Sequence, residues 1–542
     1  MSDKYDWSTI DPRVRTAIMS GLALGMLLAC LDSTIVSTSI SAILEDLQGM
    51  GLYSWVFTAY MLCETIMIPI AGKLSDEYGR RPVFLAGLIL FIGGSFAASL
   101  SVDMTMFIVC RAVQGLGGGV LMPVAMATVA DLYAPAKRGR IQGMLGALFA
   151  VATCLGPFLG GYITDNFTWH WVFYINIPFG LLSLVLILRD FPKQVESPEH
   201  HIDYLGMAVL AAALVDLLLF FTWAGSDIAW ISAESGAMLA VLAILLIAFA
   251  WQEKRALDPV LAPQLFRQRT FLCCSVILLI FGLGMMGVMA YLPIFMQMVV
   301  GMTASNTGEI LIPLVIGMMI TSLLSGMLVA RTGYRIWMMI GAIISAIGMY
   351  LLSTLGTESG VTLAVLYLFV TGMGMGCVMS VVMVAAQNSA KRDEVGMVTS
   401  GVSLFRSIGG TVAVGVFTTL INGRMATELV AALPSSVYDM YPHSIAILDY
   451  IYSDLFPYAH QIIVAYGNSI NFAFFIAALI VLLVFVVALF LKDNKPHDLI
   501  DDTVKRLQEQ TLQPSSVAAD QTAADVPADG AANTEEDSCG KH

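Results

Sequence analysis

Apolar runs about as long as a bilayer is thick recur along the chain, each closed by a short polar or glycine-rich stretch. Windows of roughly 20 residues, the length a helix needs to cross the hydrocarbon core, fall at 15–40, 52–72, 82–100, 105–130, 140–163 and 169–189. Two more follow at 204–224 and 231–252, and a last six at 271–300, 308–330, 335–355, 361–385, 398–422 and 468–491. The pattern predicts fourteen transmembrane helices grouped six, two and six.

Lysine and arginine set the orientation, because basic residues concentrate in cytoplasmic loops. Starting from a cytoplasmic N-terminus, 24 of the 27 basic residues fall in inside segments; Arg111 and Arg406 lie within spans, and Arg424 falls outside. Both termini are therefore expected in the cytoplasm of a multi-pass cell-membrane protein. The expected organisation is a cytoplasmic N-terminus (1–14), an N-terminal six-helix bundle (15–190), a cytoplasmic linker (191–203), two inserted helices (204–252), a second linker (253–270), and a C-terminal six-helix bundle (271–491). That last bundle contains a long, tyrosine-rich outside loop at 423–467. An acidic tail (492–542), rich in Ala, Asp, Gln and Ser, is expected to be disordered.

Composition agrees. The 542 residues are 58% hydrophobic and 12% charged, with a mean hydropathy of +0.80. Soluble domains carry about 25% charged residues, so a soluble enzyme or a secreted disulfide scaffold is excluded. The net charge is −13. Residues 493–542 hold 11 acids and 4 bases, hence −7 of it. No basic face for nucleic acid is present. Seven of the eight cysteines lie in apolar runs and read as free thiols. The first apolar run is too long for a signal peptide.

The two halves repeat. Gly72-Lys-Leu-Ser-Asp76-Glu-Tyr-Gly79-Arg80-Arg81 follows span 2, and Gly326-Met-Leu-Val-Ala-Arg-Thr-Gly333-Tyr-Arg335 follows span 10, offset by 254 positions. The shared frame, Gly-x-Leu-x-x-x-x-Gly-x-Arg, sits at the same topological place in each group. Parallel repeats of this kind build transporter folds.

These residues resemble the major facilitator superfamily, specifically its 14-span drug:proton antiporter family. Gly72 to Arg81 looks like the superfamily signature between spans 2 and 3. The resemblance implies a cytoplasmic gate of Gly72, Asp76, Gly79, Arg80 and Arg81, joined by Asp131 and Arg138 at the ends of the neighbouring spans. Span 5 carries Gly143, Gly156-Pro157 and Gly160-Gly161, similar to the antiporter motif, with Ala152 where glycine is frequent. Leu31-Asp32-Ser-Thr-Ile-Val in span 1 and Arg111-Ala-Val-Gln114-Gly in span 4 match further family elements, although Ser37 and Ser41 replace the usual Asn and Pro. The resemblance covers about residues 14–491. It implies an all-α major facilitator fold of two six-helix bundles plus two inserted helices.

Ionisable groups within a membrane mark function by default. Asp32 and Arg111 fall at comparable depths, and Glu64 lies near the middle of span 2 where many relatives have a small neutral residue. Asp32, Glu64 and Arg111 are the expected proton-coupling residues, with a static Asp32–Arg111 ion pair and a neutral Glu64 as the bland alternatives. Asp32, Glu64, Trp55, Tyr60, Gln114, Met289, Tyr291 and Arg406 are the expected substrate contacts. The methionines of spans 9 and 12 suit either an adaptable binding wall or ordinary packing. Asp216, in the inserted pair, is expected to lie away from transport.

The function these observations favour is proton-coupled export of amphipathic, cationic compounds by alternating access, a drug:proton antiport. The alternative is transport of one physiological substrate: an amino acid, a siderophore or a lipid. No Gly-x-x-x-x-Gly-Lys-Ser/Thr loop of a primary pump and no His-Glu-x-x-His of a metalloprotease is present. The protein is therefore expected not to be an enzyme, with no metal and no cofactor beyond the coupling proton. Its expected partners are the bilayer and small amphipathic substrates. A monomer is expected, and a periplasmic adaptor, which some relatives use, has no signature here.

Overall fold

The computed structural model describes residues 10–48, 52–192, 202–223, 228–302, 309–356, 361–391, 394–438 and 456–491. Among them are fourteen helices long and apolar enough to cross a membrane. The first six are α1 (Pro12–Leu47), α2 (Tyr53–Glu77), α3 (Arg80–Ser99), α4 (Met104–Leu132), α5 (Pro135–Asn166) and α6 (Trp171–Asp190). The inserted pair is α7 (Tyr204–Trp223) and α8 (Ala233–Glu253). The last six are α9 (Arg269–Val299, its final turn a wider π turn), α10 (Ile312–Thr332), α11 (Tyr334–Leu352), α12 (Val361–Ser389), α13 (Val395–Ala432) and α14 (Ala459–Leu489). Helices follow from the solvent: in hydrocarbon every backbone group must be satisfied within its own segment.

Packing repeats as the sequence frame does. In the first bundle α4 packs on both α2 and α3, and α1 runs along α5 and α6; in the second α12 packs on α10 and α11, and α9 runs along α13 and α14. The two turns of the repeat are built alike. Gly79 and Gly333 hold φ of 93° and 88°, left-handed values that glycine adopts without steric cost. Each lets one helix end and the next begin with no intervening loop.

The bundles meet along two seams, α2 against α13 and α5 against α10. Glycines bring the backbones together there. A side chain at Gly72 would overlap Ser400 of α13, and one at Gly139 would run into the backbone at Gly326 of α10. The inserted pair lies on the first seam only: α7 touches α2 and α13, while just 6% of the apolar window of α8 is buried.

Helix ends near residue 430 differ from expectation. The loop placed at 423–467 is shorter, because α13 continues to Ala432 and α14 begins at Ala459. The reason is local charge pairing. Arg424 bonds Glu428 one turn on at 2.6 Å and lies over the Phe472 ring. Asn468 Nδ2 donates to Glu428 Oε2 at 3.2 Å. The helices therefore extend together past their apolar stretch. Residues 439–455, the linker core 193–201 and the acidic tail from 492 lie outside the described residues.

The linker at 253–270 is tied down. Glu253, 3% exposed, accepts the backbone N–H groups of Val260 at 3.1 Å and Leu261 at 3.2 Å. Asp203 at the start of α7 accepts from Gly206 N and Gln252 Nε2, each at 2.9 Å.

Candidate functional site

Inside the first bundle, Asp32 and Arg111 form an ion pair with Arg111 Nη1 2.5 Å from Asp32 Oδ2, and both are buried. Neighbouring side chains hold the pair, while Arg111 Nε is buried without a hydrogen-bond partner. Gln114 Nε2 donates to Asp32 Oδ1 at 2.8 Å, and Asn176 Nδ2 donates to the same oxygen at 2.9 Å. Arg111 also donates to Gln114 Oε1 at 2.6 Å and stacks its guanidinium over the Tyr60 ring at 4.2 Å. Asn176 reaches Ser95 Oγ at 3.0 Å, which in turn donates to Phe173 O. Arg111 and Gln114 share a face of α4 because they are three residues apart. The backbones of α2, α3 and α4 close around them at Gly94 and Gly115, where a side chain would meet Gln114 and the Tyr60 carbonyl. Asp32, Gln114 and Tyr60 are at most 1% exposed, so the substrate contact expected of them is closed off in this conformation.

Glu64 and Arg406 are different. Each is only partly buried, although both lie deep in their helices. Glu64 is within electrostatic reach of Arg406, Arg111 and Asp32. Arg406 comes across from the second bundle, with Nη2 3.5 Å from Met122 Sδ and its guanidinium over Phe149 at 5.8 Å. An acid of one half and a base of the other thus come near each other where the bundles face, beside the buried Asp32–Arg111 pair.

At one end of the bundle the halves are latched together. Asp76 at the end of α2 accepts the N–H groups of Gly396 at 3.0 Å and Met397 at 2.7 Å. Those are unpaired donors in the first turn of α13, where the helix dipole also favours an anion. Arg80 clamps Asp76 at 2.6 Å and Asp131 at 2.9 Å. The expected gate residues Asp76, Arg80 and Asp131 come together, with Gly72 and Gly79 providing the approach and the turn. Arg81 does not join them: it donates to Leu188 O at the end of α6.

A second latch at the same end joins Arg138, an expected gate residue, to amides that leave no signal in charge. Arg138 Nη1 donates to Asn388 Oδ1 at 2.7 Å, and Asn388 Nδ2 donates to Tyr334 Oη at 2.8 Å. Gln142 Nε2 donates to Gln387 Oε1 at 3.0 Å, and Gln387 Nε2 to Met126 O at 2.9 Å. By the offset of the repeat, Tyr334 stands where Arg80 stands in the first half, and Ala330 where Asp76 stands. Asn388, ending α12, answers to Asp131, ending α4. The first latch closes Arg80 on carboxylates, and the second joins Arg138 to an amide with a phenol behind it.

The antiporter motif joins the two features. Gly143 lies against the backbone of Ser322 in α10, and side chains at Gly156 and Gly160 would strike Thr34 and Thr38, just past Asp32 on α1. Nothing lies within 4 Å of a side chain at Gly161. Helix α5, with Pro157 inside it, therefore touches both the opposite bundle and the helix carrying the buried acid.

The remaining expected contacts scatter. Trp55 packs edge-on against Trp223 of α7. Tyr291 bonds Thr418 at 2.6 Å. Met289 is partly buried, while Met285, Met296, Met375 and Met383 are core side chains, which favours the packing reading. Asp216 takes no part in the Asp32 cluster; its Oδ2 is buried without a hydrogen-bond partner. Cys30, Cys63, Cys110, Cys273, Cys274 and Cys377 are free thiols, and among the described residues no cluster of metal-ligating side chains occurs.

Fourteen membrane-length helices among the described residues, in repeated bundles with a buried ion pair and a seam latched at one end, fit a membrane transporter by class. The chain belongs to the Major Facilitator Superfamily, whose family model matches residues 22–414. It is 37% identical over 415 residues to the multidrug transporter protein MdtP of Bacillus subtilis, covering 77% of each chain. It is 35% identical over 412 residues to multidrug resistance protein 3 of the same organism, covering 76% of this chain and 80% of the relative. The proton:xylose symporter XylE shares its fold, with a TM-score of 0.60, 15% identity, and coverage of 90% and 98% of the two chains. The family and these relatives are transporters, not enzymes.

Proposed function

We propose that the protein exports amphipathic, cationic compounds across the cell membrane in exchange for protons, with both termini and the latched end facing the cytoplasm. The observation that carries this is the buried Asp32–Arg111 pair beside partly open Glu64 and Arg406. A carboxylate that takes a proton loses its hold on the guanidinium. Arg111 then has to find other partners, and the helices carrying the pair, α1 and α4, shift against α5. Helix α5 touches the opposite bundle at Gly143, so the proton's arrival is felt at the seam. Opening the cytoplasmic end requires Asp76 to leave the N–H groups of α13 and Arg138 to leave Asn388; re-forming both restores the conformation described here. Glu64 offers the cargo a negative contact and supports the cationic class. The multidrug names of the two Bacillus relatives support the same reading.

Arg406 favours a second reading. A base facing the space between the bundles suits a zwitterionic or anionic substrate, so one physiological substrate carrying a carboxylate is the alternative. Uptake into inside-out proteoliposomes under an imposed pH gradient separates the two. The antiport reading expects gradient-driven accumulation of several lipophilic cations, abolished by a protonophore. Transport of none of them, with uptake of a single zwitterion or anion, would favour the alternative.

A further inference from the structure

The seam between α2 and α13 contains a cavity of about 270 Å³ that α7 closes as a third wall. That is just under the ~300–1,000 Å³ of small-molecule sites, with room for one alkyl chain and a small head. It lies away from the Asp76 latch and outside the Asp32 cluster. Met61 and Val414 on its lining are 39% and 46% exposed, so it opens between helices rather than into the core.

Its chemistry is one-sided. No acidic or basic side chain lines it, and the walls are apolar apart from threonines. Three of the four threonine hydroxyls have given their protons to their own helices: Thr222 to Leu218 O at 2.8 Å, Thr411 to Ser407 O at 3.2 Å and Thr418 to Val414 O at 2.7 Å. With its proton committed, Thr418 receives the Tyr291 hydroxyl at 2.6 Å. Thr411 and Thr418 therefore meet an occupant as acceptors. An ammonium has N–H groups to give them, whereas a carboxylate or phosphate has none. Glu64 lies one turn along α2 from Met61. Thr65 and Ser407, 2.8 Å apart, join the halves next to Arg406. Arg406 itself turns toward Met122 and Phe149.

We propose that this cavity binds a single-chain alkylammonium at the flank of the bundle, tail among the apolar walls and ammonium on the threonine oxygens. As a step in transport the site rests on the exporter reading; as a binding site it does not. Because α2 and α13 belong to opposite halves, the cavity changes shape whenever the seam opens, so occupancy depends on the conformation of the transporter.

The test uses the full chain in lipid nanodiscs with three photoreactive probes bearing a diazirine on the chain: decylammonium, decanoate and phosphatidylcholine. Peptide mapping is expected to place the decylammonium adduct within 58–62, 218–222 and 411–418. Excess decylammonium should suppress labelling, and decanoate should label these segments weakly. Thr411→Val keeps the shape and removes an acceptor, so it should cut ammonium labelling about tenfold, the effect of losing one hydrogen bond to a charged group, with decanoate labelling unchanged. Leu218→Trp, checked for folding by thermal melting, should fill the cavity and abolish labelling. Equal labelling by ammonium and decanoate, indifference to Thr411→Val, or a lipid adduct that decylammonium fails to displace would each overturn the proposal. Labelling retained in a protein with no proton-driven efflux removes the exporter reading alone. Efflux intact with no labelling removes this site alone.

Discussion

Asp32 and Arg111 sit 79 positions apart on α1 and α4 and meet at 2.5 Å, with neither side chain more than 1% exposed. Burying two charges costs more than their attraction returns unless every remaining polar atom is also satisfied, so the removal of one partner is far worse than the removal of both. Asn176, Gln114 and Tyr60 supply most of those extra contacts, and Arg111 Nε is left without a hydrogen-bond partner.

Asp32→Asn leaves Arg111 buried without a counter-charge. The expected loss is about 3–5 kcal/mol of stability, read as a fall in melting temperature of the detergent-solubilised protein. Adding Arg111→Gln should restore most of the melting temperature without restoring proton-driven flux. A double variant no more stable than the single one would show that the pair is not the strained element described here.

Asn176→Ala removes one of the two neutral donors to Asp32. Its buried oxygen then loses a charge-assisted bond, worth about 1.5–3 kcal/mol. The site predicts weakened coupling with little change in substrate affinity, measured as the ratio of protons to cargo moved. An unchanged ratio would make Asn176 a packing residue only.

Gly72→Val places a branched side chain where Ser400 packs against α2. The latched end should fail to close. Spin labels at Arg81 and Lys391 should report a longer distance than in the wild type, and transport should fall at least about tenfold, because a gate that cannot close cannot cycle. An unchanged distance would mean that the seam tolerates the side chain.

Asn388→Asp gives Arg138 a charged acceptor, as Asp131 gives Arg80 in the first half. Charge-assisted bonds are roughly twice as strong as neutral ones, so the latched conformation should gain population. Turnover should drop several-fold, about 1 kcal/mol in the barrier to opening, with the same label pair showing a narrower distance distribution. Faster turnover would contradict this role.

What the chain reveals before folding divides along physical lines. The spans and the repeat are legible because hydropathy, glycine and charge each leave a mark along the chain, whereas the grouping of Asp76, Arg80 and Asp131 is implied only by the resemblance of Gly72 to Arg81 to a family signature. Gly79 and Gly333 then take the same left-handed conformation. Asn176, Gln387 and Asn388 leave no such mark: a neutral amide in an apolar run matters only through the partner that tertiary packing brings. Helix α13 runs past its apolar stretch into a segment where Arg424 pairs with Glu428 and lies over Phe472, partners that only the folded chain brings together. Trp55 and Tyr291, expected as substrate contacts, pack on Trp223 and Thr418 at the α2–α13 flank.

The central claim is that a proton bound at the Asp32 cluster is exchanged for cargo. It is tested most directly by loading proteoliposomes with a lipophilic cation and recording internal pH as the cation leaves. The wild type should acidify the interior in step with efflux, and Asp32→Asn paired with Arg111→Gln should let the cation move without proton entry or not at all. Undiminished, stoichiometric acidification by that folded double variant would contradict the account.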